Sequence, residues 1–155
     1  MKQTEHALGI RIAPTPDGAD DTTSYRAYIN LAVADLALNN IIEMGPLPAG
    51  TELVDAILDS DDLDGNGAPT LTFDVGVMSG NVGDLTNPDG SARTIDASIM
   101  SGVNVAQTGG VARPTLASAF RITRSPVDRS IGLKVRAAGA TPQAGTIGLT
   151  LIYRG

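Results

Sequence analysis

The chain has 155 residues, is 42% hydrophobic but only 3% aromatic, contains no Cys and no Trp, and carries a net charge of −6. That length suits one domain, which buries about 70% of the surface its unfolded chain exposes. The composition excludes disulfides and thiolate metal sites, leaves the core to aliphatic side chains, and sets an acidic balance that argues against nucleic-acid binding.

Residues 1–24 are polar and turn-rich, with Pro14, Pro16, Gly18 and the pair Asp20-Asp21. No period holds there, so the expectation is an N-terminal arm, ordered on a partner or frayed. A single β domain is expected over residues 25–155. From Arg26 to Ala34, Ala27, Ile29, Leu31 and Val33 share one side, which favours a strand although the Ala content leaves a helix open. Ile41 to Met44 is a short apolar piece ending at Gly45-Pro46.

Glu52 to Asp59 is compatible with a helix capped by Thr51, but its length favours a strand. The acidic turn Ser60-Asp61-Asp62-Leu63-Asp64-Gly65-Asn66-Gly67 follows, and then Leu71, Phe73, Val75 and Val77 alternate with Thr72, Asp74 and Gly76. Period two marks a half-buried strand. Two apolar runs around an Asp/Gly turn predict a β-hairpin. Residues 79–93 are a long loop, and Ala92 to Met100 is expected to include one short helix.

Phe120 and Ile122 predict a strand, as do Ile131, Leu133 and Val135, and Ile147, Leu149, Leu151 and Tyr153. The last two are expected to pair antiparallel across Ala137–Gly145. The fold class is therefore all-β: an antiparallel sandwich or barrel, jelly-roll-like, of about six to eight strands with at most one short helix.

Charge is unevenly spread. Residues 51–100 carry ten acids and one base, and residues 101–155 carry seven bases and one acid. Either the two parts meet within one fold, or the acidic part of one copy meets the basic part of a neighbour. No secretory signal and no run of about 20 apolar residues is present, so synthesis and folding in a cytoplasm, with no membrane partner, are expected.

Catalytic signals are sparse. His6 is the only histidine and stands apart from every patterned strand, whereas a triad or zinc site needs a rigidly held imidazole. The acidic turn matches an EF-hand at Asp62, Asp64 and Gly65, but Ser60 stands at the first ligand position and Leu71 where a bidentate Glu belongs. A looser Ca²⁺ site at Asp61, Asp62 and Asp64 stays open, beside the plainer reading of a solvated turn. No nucleotide or hydrolase motif occurs, so no enzyme and no cofactor are expected. Arg121, Arg124, Arg129, Lys134 and Arg136 lack interleaved aromatics, which favours a solvated or partner-facing basic face over nucleic acid.

Several segments carry a resemblance. They are Leu47-Pro48-Ala49-Gly50-Thr51, Val54 to Asp64, Leu71 to Met78, Val105-Ala106-Gln107-Thr108-Gly109-Gly110, Asp128 to Val135, and Gly145 to Leu151. In order they resemble the head decoration, or cement, proteins of tailed bacteriophages, over about Leu47 to Tyr153. The resemblance implies a non-enzymatic β-rich protein of the virion that binds the major capsid protein on the capsid exterior, as a homotrimer, and ties capsomers together. Two rival readings are a Ca²⁺- or carbohydrate-binding adhesin-like module and a tail or neck component.

Overall fold

The computed structural model describes residues 1–155. Nine strands form two sheets: β1 (Lys2–Gln3), β2 (Thr22–Leu31), β3 (Ile41–Leu47), β4 (Glu52–Ser60), β5 (Thr72–Val77), β6 (Met100–Val103), β7 (Gly110–Ala112), β8 (Arg129–Ala137) and β9 (Gly145–Arg154). One sheet has the order β1-β3-β8-β5-β6 and the other β2-β9-β4-β7. All pairs are antiparallel except β1 with β3. The all-β sandwich expected from the alternating pattern is the observed fold.

Period-two segments supply the core. Ile131, Leu133 and Val135 of β8 face Ile147, Leu149, Leu151 and Tyr153 of β9, and all are at most 1% exposed. Phe73 and Val75 of β5, Ile42 and Met44 of β3, and Ala56 and Leu58 of β4 complete the same cluster. Removing these apolar faces from water is the main drive to the two-layer arrangement.

Strand existence follows the sequence, but pairing does not. β4 and β5 lie in different sheets, so the expected hairpin is an arch that crosses from one sheet to the other. The same holds for β8 and β9, which do not pair. An arch lays the second strand's apolar face against the first, whereas a hairpin sets both on one side of one sheet. Period two is identical in the two cases.

Other expectations are also corrected. Phe120 belongs to a 3-10 helix, Ala117–Arg121, and two more lie at Val33–Leu36 and Val105–Gln107. Thus three short helical turns replace the single expected one, and none falls in Ala92–Met100. There Asp96 Oδ1 accepts the Val77 and Ser98 amides at 2.9 and 3.0 Å, an Asx turn that leads into β6. Val33, expected to face inward, is 52% exposed because β2 ends at Leu31.

Residues 1–21 lie along the body. β1 pairs with β3, Thr4 and Ala7 are buried, and Ala13 joins the core. Thr22 to Ser24, assigned to the arm, already belong to β2, whose register with β9 runs from Thr22 opposite Arg154 to Leu31 opposite Gly145.

A third layer covers the outer face of the five-stranded sheet. Gly76 and Gly132 are register partners on β5 and β8, and they leave a strip without side chains. Residues 78–98 rest on it. A Cβ on Gly76 would collide with Asp96, including its backbone, and one on Gly132 would collide with Met78 Sδ and lie 2.9 Å from the Ile42 carbonyl.

Candidate interaction surface

Residues with chemical potential do not converge. His6 is 8% exposed and packs its ring 4.6 Å from that of Tyr25, whose hydroxyl donates to the Pro46 carbonyl at 2.6 Å. Burial, reinforced by Arg11 and opposed by Glu5, lowers the His6 pKa below its ordinary value. No carboxylate orients the ring through a hydrogen bond, so the geometry is that of a packed side chain.

Asp61, Asp62 and Asp64 are close in sequence but serve separate backbone sites. Asp64 is 1% exposed. Its Oδ2 accepts the amides of Thr70, Leu71 and Ala140 at 2.7, 3.1 and 3.0 Å, and Oδ1 accepts Thr141 at 2.7 Å. Burial alone would raise the carboxyl pKa, but these four donors more than offset it and hold it at about 2. Asp62 Oδ1 accepts the Asp64 amide, and Asp61 Oδ2 accepts that of Thr146. No group of three acidic or histidine side chains is arranged to hold a metal. The acidic turn is instead the fastener of both arches: Asp64 bridges to Pro142, and Gly65 donates to the Thr141 carbonyl.

Charge asymmetry is partly resolved inside the chain, by three ion pairs between its middle and last thirds. Arg113 pairs with Asp55, Arg136 Nη1 with Asp74 Oδ1 at 3.1 Å, and Arg154 Nε with Glu52 Oε1 at 2.5 Å. Each joins a base of the last third to an acid of the middle third. Arg121 and Lys134 form no ion pair, and Arg124 donates to the Gly155 carbonyl at 2.6 Å. Arg129 donates to the Thr51 carbonyl at 3.1 Å, and burial lowers its pKa. Of the five basic residues, Arg121 and Lys134 alone are left without a partner inside the chain.

A buried ion pair escaped the sequence reading. Glu43 and Arg93 have side chains 0% and 1% exposed, with Oε1 and Nη1 3.1 Å apart. Glu43 also accepts from Gln3 Nε2 (2.8 Å), the Gly83 amide (3.0 Å) and Ser130 Oγ (2.5 Å). Arg93 donates to the carbonyls of Ser79 and Asp84 at 2.6 and 2.7 Å. This network pins the third layer and the N-terminal segment to β3. Its sequence signal is only that Arg93 is the sole base among residues 51–100.

The surface carries two open concavities, on either side of the Pro48–Thr51 turn, each mixing apolar and charged side chains. Leu8, Ile10 and Ile12 are exposed, and Ile12 is 87% so. Leu8 and Ile12, with Pro46, Pro48 and Val82, line an open groove of about 660 Å³ that also includes Asp84 and Asp128. Across the Pro48–Thr51 turn, the exposed Phe120 and its neighbours Arg121 and Ile122 line one side of an open hollow of about 350 Å³, with Glu52, Leu53, Val54 and Arg154 on the other. Open concavities that mix apolar side chains with a few charged ones suit protein contact.

No family model and no curated protein matches the chain. Among solved structures, a chain from the capsid of Ralstonia phage GP4 is 46% identical with a TM-score of 0.91, over 98% of this chain and 96% of that one. A chain from the capsid asymmetric unit of cyanophage Pam1 is 22% identical with a TM-score of 0.59, over 93% of this chain and 92% of that one. At that identity the second likeness speaks for a shared fold.

Proposed function

The chain belongs to the phage capsid-protein family represented by the chain in the Ralstonia phage GP4 capsid, and from that premise we propose that it is a head decoration, or cement, protein. The near full-length match to a chain of a capsid carries this reading. In it, the protein has no enzymatic role, sits on the capsid exterior, binds the major capsid protein and ties neighbouring capsomers together as a homotrimer. Residues 1–21, the part of the N-terminal segment outside β2, complete the contact.

The surface supports the reading. Leu85, Val111 and Val127 are each about two-thirds exposed and stand outside the core cluster. Eight of the eleven bases pair with acids inside the chain, which leaves apolar contact as the main means of attachment, helped by the few unpaired charges. Many copies of a small protein, each with a modest interface, stabilise a shell by mass action and by multivalent linkage.

The test is to mix purified protein with undecorated heads of the parent phage in native salt. Saturable binding in a stoichiometry set by head symmetry, together with a raised temperature of head disruption, is expected. Absence of binding overturns the reading.

A further inference from the structure

We infer that Phe120 and Arg121 of one copy dock into the groove between Leu8, Ile12, Pro46 and Pro48 of a second copy, with Arg121 facing Asp84 and Asp128. The contact is heterologous, because the two patches are different.

The first observation is the fate of the two phenylalanines. Phe73 is fully buried, but Phe120 is 56% exposed in a chain poor in aromatics. Phe120 is also well held. Ala119 beside it is 1% exposed, and Ser118 Oγ donates to the Ser98 carbonyl at 2.7 Å. An aromatic ring on a fixed turn loses little conformational freedom on docking, and such rings beside Arg dominate interface energetics.

Charge complementarity selects the second copy as occupant. Arg121 has no ion pair and no hydrogen bond within its own chain, although most of its basic neighbours do. In the groove, Asp84 and Asp128 likewise have no cationic partner. Their carboxylates accept only from Asn81 Nδ2 at 2.9 Å and from the Ala49 amide at 2.7 Å. The groove's own guanidinium, Arg11, is taken by Glu5 at 2.9 Å. The groove thus presents apolar walls with net negative charge, and the protrusion presents an apolar ring with net positive charge.

Position supplies the third argument. Pro48 lines the groove and Glu52 and Leu53 line the hollow with Phe120, so the two patches flank the one turn between them. Two different patches on one chain make a head-to-tail contact, which closes into a ring where the rotation relating successive copies closes. The contact stands on these features alone, whereas a ring of three rests on the decoration reading.

The experiment uses two variants of the full chain, Phe120→Asp and Asp84→Lys, each first shown to keep the wild-type far-UV spectrum, and its melting temperature at a dilution where the wild type is monomeric. Self-association is followed by sedimentation velocity. The wild type is expected to associate, and each variant to weaken association at least about tenfold. Mixing the variants leaves one intact protrusion and one intact groove, so a one-to-one dimer is expected from the mixture and from neither alone. A wild type that stays monomeric at all concentrations, or a mixture that stays monomeric, overturns the inference. Head binding is measured in parallel. Heads that bind a monomeric wild type refute this contact and leave the decoration reading standing, and self-association without head binding does the reverse.

Discussion

Asp64 Oδ1 accepts the Thr141 amide at 2.7 Å, so the arch leaving β4 and the arch leaving β8 are fastened to one carboxylate. Thr70, Leu71 and Ala140 complete its coordination by backbone donors. Replacing Asp64 by Ala leaves four amides without their acceptor, that of Leu71 buried and the other three partly so. The expected outcome is a loss of melting temperature of about 5 °C or more in calorimetry. The acid limb gives the sign. The folded pKa of about 2 lies below the ordinary 3.8, so the stabilisation is complete above pH 3.8 and is lost as pH falls through about 2. Asp64→Asn is expected to flatten that limb between these values. Added Ca²⁺ is expected to leave the wild-type melting temperature unchanged, because the carboxylate is already saturated by amides.

The Glu43–Arg93 pair predicts an asymmetric response to mutation. Arg93→Met leaves Glu43 buried without its cation, and a cost of about 3–5 kcal/mol is expected in denaturant unfolding. The double variant with Glu43→Gln is expected to recover part of that loss, since two neutral groups are cheaper to bury than one lone charge. Hydrogen exchange distinguishes a local from a global effect. In Arg93→Met, amides of residues 79–92 are expected to exchange faster than those of β8 and β9.

Gly76 and Gly132 make a third test. In Gly76→Ala the new methyl meets the Asp96 backbone, which cannot move without lifting the third layer. Overpacking of this kind costs about 1–3 kcal/mol. The expected signature is faster exchange in residues 94–98 with β9 unaffected.

The sequence exposed the alternation that fills the core, but not which strands pair. Leu71, Phe73 and Val75 are buried as their period requires, yet the same period suits an arch and a hairpin. Linker length held the clue, because Asp61 to Leu71 is longer than the two to five residues of a tight hairpin. The 3-10 turn at Phe120 was hidden because two alternating apolar residues are too few to define a period. Buried Glu43 looked like an ordinary surface acid, since burial of a charge depends on partners remote in sequence, Arg93 and Ser130. The groove was illegible for the same reason: it joins residues near 8, 48, 84 and 128.

His6 gives the last prediction. It contacts Tyr25, and Arg11 and Glu5 act on it from its own segment, with Asp84 and Asp128 across the groove. Burial is the largest influence and, with Arg11, lowers its folded pKa below 6.5. The unfolded chain therefore binds the extra proton first, and stability falls as pH drops below 6.5 until the folded pKa is passed. His6→Gln removes the titrating group. Its melting temperature is expected to be lower than wild type at pH 7.5, through loss of the packed ring, but to decline less between pH 7 and pH 5. A variant curve that runs parallel to wild type over that range would show that His6 does not titrate differently on folding.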